Sequence, residues 1–187
     1  GVSHYMGNPN VKAAYVNIEY SKDQLKEFQN QGLVSKIGCS IYRRDQLNKL
    51  KTNLNLDIVQ SPFNILDQSF FYDVHKKENN FEFHARSIFL QGLLLMDSNL
   101  RPSFFSKWNQ LFKKYEEFLE FNKLNKLEFC LLSVLQDKRI NKTLVGLEKI
   151  DQLKEIIKVS KKKLKEIDTT KFITNDIELV DPRLWNF

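Results

Sequence analysis

The sequence predicts an α/β protein built on parallel strands, and three observations point there. Short apolar runs alternate with longer amphipathic stretches, the order that strand-helix-strand units require. Several of those runs stop on a polar side chain, as in IGCS, DIVQ and HAR, which marks strand ends rather than continuous buried helices. The chain has 187 residues, 42% of them hydrophobic and 12% aromatic, enough to bury a sizeable core in a single domain spanning 1–187.

Each element follows from a local signal. VSHYM (2–6) is a candidate opening strand. Ser21-Lys22-Asp23-Gln24 has the form of a capping box, with Ser21 as N-cap, and Gly32 closes the helix it starts. LVSKIGCSIY (33–42) reads as a strand, and RRDQLNKLKT (43–52) as a helix with Leu47 and Leu50 at helical spacing. LDIVQSPFN (56–64) returns to a strand ended by Pro62, residues 67–78 read as a short helix, and FEFHARSIF (81–89) as a strand. Pro102 opens a long aromatic helix to about Phe121, with Phe104, Trp108, Leu111, Phe112 and Tyr115 on one side. Its opposite positions hold Lys and Glu, so it is expected as an outer-layer helix packed on the sheet. A helix over 125–137, a strand KTLVGL (142–147) and a helix over 150–166 complete the series.

Composition excludes several functions. The chain holds 29 Lys and Arg against 23 Asp and Glu, a net +6. These charges are interleaved along the chain, a mild basicity without a nucleic-acid footprint. Cys39 and Cys130 lie far apart in the apolar settings IGCSI and EFCLL, which suits buried, reduced thiols and a cytoplasmic protein, and no metal site is expected. No window approaches the roughly 18–20 apolar residues of a membrane span, and GVSHYMGNPN does not resemble a signal peptide. The Asn141-Lys142-Thr143 sequon then means little. His75 falls on a charged helix and His84 within a strand, where a face or core role is the ordinary reading.

The α/β class can be narrowed. With only six glycines there is no Gly-rich phosphate loop after a strand, which disfavours the doubly wound dinucleotide folds. A barrel of eight strand-helix units takes about 250 residues, so four clear strands with VSHYM as a fifth make only part of one. In sequence order, the series GLVSKIGCSIY, DIVQSPFNILDQ, HARSIFLQGLLL, KTLVGLEKIDQLKEI and the ending DPRLW resembles the C-terminal half to two-thirds of an aldo/keto reductase. The resemblance runs from about Ser21 to Trp185. It implies a TIM-type barrel that binds NADP(H), with NAD as the alternative, across its strand C-termini and reduces a small-molecule carbonyl.

On that resemblance HARSIFLQG is the seventh strand. Arg86 occupies the place where the family often has an aromatic stacked on the nicotinamide, and Ser87, with the backbone around Phe89 to Gln91, would meet the pyrophosphate. A guanidinium can stack and donate hydrogen bonds at once, so the exchange is chemically sensible. Without the resemblance, Arg86 and Ser87 would simply end a strand, with Arg86 reaching to solvent. Ser40 and Gln60 would bind the nicotinamide carboxamide, although strand-end capping also explains both, and Asn64 reads as a turn or cap residue. The eighth strand and its loop would present Gly146, Glu148, Lys149, Gln152 and Glu155 to the adenosine end, Lys149 adding charge for a ribose phosphate at a helix N-terminus. A plain solvated helix start competes with this. Ile156 stands where the family has Asn, which leaves the choice between NADP and NAD open.

For catalysis the resemblance implies a Tyr, Lys and Asp from the first half of the barrel and a His in a run like HNP. Here that run reads GNP with Gly7 in the His position, and His4 does not take over the role, since strand geometry would project it elsewhere. No catalytic residue is assigned. The readings are therefore an NADP(H)-dependent carbonyl reductase of which this chain is the cofactor half, or a catalytically inactive nucleotide-binding or scaffold module of the same fold. An incomplete barrel would leave two unpaired sheet edges and an apolar inner face, so a homo-oligomer or a complementing chain is expected.

Overall fold

The structure is a computed structural model, and it describes residues 13–16, 22–51, 56–71, 80–163 and 168–186. Five strands form one sheet: β1 (Ala13–Val16), β2 (Lys36–Ser40), β3 (Ile58–Pro62), β4 (Glu82–Arg86) and β5 (Lys142–Thr143). They lie side by side in sequence order and every neighbouring pair is parallel. Between and after them run α1 (Lys22–Asn30), α2 (Arg44–Lys51), α3 (Asn109–Asn122), α4 (Lys126–Leu135), α5 (Ile150–Ser160) and the single turn α6 (Ile177–Val180).

The expected strands are present but shorter. Residues 33–35 belong to the turn that closes α1, where Leu33 and Val34 donate N–H bonds back to Phe28 O and Gly32 takes φ +70°. β3 stops at Pro62 because Asn64 turns the chain, its Oδ1 accepting from the N–H groups of Leu66 at 2.9 Å and Asp67 at 3.0 Å. β4 stops at Arg86 because Ser87 has φ +56°, which no strand tolerates. β5 reaches only Thr143, since β4 offers no ladder past that point. AAYV at 13–16 is a strand that the sequence reading did not anticipate; VSHYM, Ser21, Gly7, His4 and His75 lie outside the described residues.

Two helices also differ from expectation. The region from Asp67 holds a 3₁₀ turn, Ser69–Phe71, whose first N–H bonds Asp67 Oδ1 at 3.0 Å, and residues 72–79 are not described. The aromatic stretch after Pro102 begins as a 3₁₀ segment, Ser103–Trp108, before α3 proper. α3 does not sit on the sheet. Phe112, Tyr115 and Leu119 pack with Phe129 and Cys130 of α4, with Leu90, Leu93 and Leu94 of the loop after β4, and with Phe172 and Leu179 of the C-terminal segment. That segment is tied to the same place by both tryptophans of the sequence: Trp108 Nε1 donates to Asp176 at 2.8 Å, and Trp185, edge-on to Phe105 at 4.9 Å, donates to Leu179 O.

A second cluster covers one face of the sheet. Cys39, Val59, Phe83 and Ala85, alternate positions along their strands, pack against Leu47 of α2, Leu131, Leu132 and Val134 of α4 and Val159 of α5. Both cysteines are free and buried, as expected, and burial pushes the thiol of Cys39 up to about 11 and that of Cys130 to about 12. The intervening positions form the helix-free face, and it is not apolar. Lys36, Ser40, Gln60, Glu82, His84 and Arg86 lie there with Ile58 and Pro62. Lys36 pairs with Glu82 across the strand between them, and His84 Nε2 is 3.4 Å from Glu82. Most of the apolar residues of these runs belong to the helix-packed positions, and on the other face Lys36, Glu82 and His84, and Ser40 with Gln60, satisfy one another.

Candidate functional site

Parallel strands put all their C-terminal ends on one edge of the sheet, where Ser40 ends β2 and Arg86 ends β4. Gln60, expected at a strand end, instead lies in the middle of β3, level with Ser40, and Pro62 is the residue opposite Arg86. Ser40 Oγ donates to Gln60 Oε1 at 3.2 Å, and the backbone register pairs the same two residues. A joined hydroxyl and amide there present donors and acceptors suited to a planar carboxamide.

Arg86 is half-buried, and the carboxylate that acts on it, Asp181, is ion-paired to Arg183 instead. Its Nη2 donates to Ile41 O at 3.3 Å and its Nη1 to Ser87 Oγ at 3.4 Å, while Nε is buried without an acceptor among the described residues. The guanidinium lies 4.3 Å from the centroid of the Tyr42 ring, and the Arg183 guanidinium lies 3.6 Å from the same centroid. Burial lowers the pKa of Arg86, whereas the hydrogen bonds that Arg183 donates to Asp181 raise that of Arg183. The sequence reading missed Tyr42 and Arg183. Tyr42 sits two residues past the polar end of a strand, a visible signal, but the return of the C-terminal segment to it has no local signature.

The loop after β4 is shaped by backbone conformation. Ser87, Leu90, Gln91 and Gly92 all have positive φ, between 47° and 85°, and Ile88 and Leu90 anchor the loop in the core. Asn64 Nδ2 donates to Ser87 O at 3.2 Å, so the residue read as a turn former also fixes this loop. The hydrogen bonds that close the loop come from the N–H groups of Leu90, Gly92, Leu93 and Leu94, and the N–H groups at 87–89 stand outside that ladder.

Beside this loop is a cavity of about 700 Å³ between α3, α4 and the start of α5. Phe89, Gly146, Gln152 and Glu155, four of the residues expected at the dinucleotide, line it together. Glu148, Lys149 and Gln91 are exposed and do not line it. Gln152 Oε1 instead accepts from the N–H groups of Glu148 at 2.9 Å and Lys149 at 3.1 Å, so the start of α5 is capped by its own side chain. Asp97, Glu116 and Lys126 also face the cavity. Lys126 Nζ donates to Met96 O at 2.7 Å and to Asp97 at 3.1 Å, and Arg101 donates to Glu116 at 2.9 Å. A second cavity, of about 830 Å³, opens between Tyr42, Arg44, Asp67, Thr174 and Arg183; desolvation raises the carboxyl of Asp67.

Among the described residues no group of His, Cys, Asp and Glu could hold a metal ion. No described helix is long and apolar enough to cross a membrane. His84 is a face residue, 6% exposed beside Glu82.

The family model described as the Aldo/keto reductase family matches residues 5–172. Curated protein sequences yield no match. Among solved structures, an aldo-keto reductase from Bacillus halodurans superposes on 86% of this chain and 59% of its own, with a TM-score of 0.67 at 16% identity. Its holo form gives 0.66 at 14% identity, covering 86% and 58%. A glycerol dehydrogenase from Gluconobacter oxydans gives 0.61 at 18% identity, covering 81% and 53%. These likenesses establish the fold, and this chain spans between 53% and 59% of their lengths.

Proposed function

Because the chain belongs to the aldo/keto reductase family, we propose that it holds the nicotinamide dinucleotide of an oxidoreductase acting on a small carbonyl compound, and is the cofactor half of that enzyme. The observation that carries this reading is the meeting of Phe89, Gly146, Gln152 and Glu155, from two distant stretches of sequence, around one cavity beside the loop that leaves β4 at Arg86.

Two features fit a long phosphorylated ligand. A Cβ at Gly146 would meet nothing within 4 Å and the residue has no positive φ, so neither packing nor backbone explains a glycine on the cavity wall, whereas close approach of a ligand does. Arg86 is a desolvated cation whose Nε lacks an acceptor, which a phosphate or carboxamide oxygen would supply. Ser40 and Gln60 would hold the carboxamide, Arg86 would lie against the nicotinamide, Ser87 with the backbone from Phe89 to Gln91 would meet the pyrophosphate, and the cavity would take the adenosine. When bound, the dinucleotide supplies or takes up the hydride. The chain's own residues orient it and exclude water from the buried side of Arg86. The proton for the forming alkoxide comes from none of the residues assigned here, so reduction needs the family's acid from another part of the protein.

A second reading, an inactive nucleotide-binding or scaffold module, is favoured by Gly7 in the place of the family's histidine. Isothermal titration of the full chain with NADH and NADPH tests the shared premise. We expect binding of a dinucleotide, weakened at least tenfold by Arg86→Ala; heat signals indistinguishable from buffer for both would overturn it. Oxidation of reduced dinucleotide with a panel of small aldehydes then separates the two readings, since turnover rules out the inactive module. The buried free thiols of Cys39 and Cys130 favour a reducing, cytoplasmic setting.

A further inference from the structure

The adenosine end of a nicotinamide dinucleotide comes in two forms, differing in whether the ribose 2′-oxygen is a hydroxyl or carries a phosphate. Sites for the hydroxyl form use a carboxylate as acceptor, and sites for the phosphate form supply an uncommitted cation. The cavity beside Phe89 has the first kind of lining. Asp97, Glu116 and Glu155 face it, against Lys126 as the one cation among the described residues that line it. That ammonium is already engaged by Met96 O and Asp97 and lies 3.9 Å from Glu116, while the Arg101 guanidinium, which donates to Glu116 through Nη2, is buried and does not line the cavity. Lys149, the residue expected to meet a ribose phosphate, does not line the cavity. The N–H groups of Glu148 and Lys149, just before α5, are taken by Gln152.

We propose that this cavity selects NAD(H) over NADP(H), with the carboxylate of Glu155 as the acceptor for the ribose hydroxyls and the Asp97–Glu116 pair as the barrier to a 2′-phosphate. The inference rests on the dinucleotide-binding reading above. A 2′-phosphate carries roughly −1.5 to −2 charge at neutral pH, and here it would meet carboxylates whose counterions are already committed. Like charge against like charge without a free cation is the repulsive element from which specificity is built.

Isothermal titration of the full chain with NADH and NADPH decides the matter, since it reads binding and needs no turnover. The expected result is NADH binding at least tenfold tighter. Glu155→Arg and Asp97→Asn, the first adding a cation and the second releasing Lys126, should each narrow or invert that ratio by strengthening NADPH. Both residues are exposed, so folding should survive, and unchanged circular dichroism would establish it. NADPH binding as tightly as NADH, or tighter, overturns the inference and leaves dinucleotide binding intact. Failure of both dinucleotides to bind removes the two together.

Discussion

His84 shows how a single buried side chain sets a pH limit. It stands on the helix-free face beside Glu82, and desolvation lowers its pKa below the ordinary 6.5, outweighing the hydrogen bond to Glu82, which acts in the opposite direction. The imidazole is therefore neutral in the folded protein until pH drops below the value at which the unfolded chain protonates. In that window the unfolded state binds more protons, so stability is full above about pH 6.5 and falls as pH falls. Glu82, lowered chiefly by its hydrogen bond from Lys36, adds a loss of the same sign below its ordinary 4.5. We expect the melting temperature to decline between about pH 7.5 and 5.5, and His84→Gln to flatten that slope; an unchanged slope would count against the assignment. At this scale the sequence was partly legible. Ser40 and Arg86 announce themselves as polar residues where apolar runs stop, and both do end strands on one edge, whereas Gln60, read the same way, lies two residues short of the end of β3. Arg183 over Tyr42 does not, because that contact depends on where the C-terminal segment returns.

Elements are held by register and by their ends. Gly38 faces Ile58 across the β2–β3 pair, and a Cβ there would stand 2.8 Å from both Ile58 Cβ and Ile58 O. The carbonyl belongs to the sheet's backbone and cannot yield without parting the strands. Gly38→Ala should cost about 1–3 kcal/mol, visible as a lower urea midpoint with an unchanged slope. Lys123 ends α3 in the left-handed region at φ 55°, its N–H bonding Leu119 O and Glu120 O. Glycine takes that conformation without strain, so Lys123→Gly should stabilise by about 0.5–1 kcal/mol, read as a raised melting temperature. Periodicity located the strands from 33 to 143 and the main helices because burial imposes it directly. It overran the strand ends because a strand stops where its neighbour turns, as β4 does at Ser87, and a neighbour's turn is not written in the strand's own residues. AAYV at 13–16 escaped notice for the same reason, being defined by its pairing with β2 rather than by its own pattern.

At the scale of the molecule, the strand order leaves β1 and β5 as the two borders of the described sheet. β5 is blunted by its length of two residues, whereas β1 offers four residues of backbone to a further strand. The helix-free face adds little apolar pressure to associate, because its side chains are paired with one another. Association should therefore be led by strand addition at the β1 border, through a second copy or a complementing chain. Size-exclusion chromatography with light scattering is expected to give a species larger than 22.2 kDa, and a clean monomer at micromolar concentration would sink that expectation. One seam gives the molecule a further property. Trp108, through its bond to Asp176, and Trp185, through its ring contact with Phe105, both fasten the C-terminal segment to the helical layer, and the sequence contains no other indole. Their emission is thus an optical gauge of that seam alone, and reddening ahead of any loss of sheet signal would reveal the tail peeling away while the strands still hold.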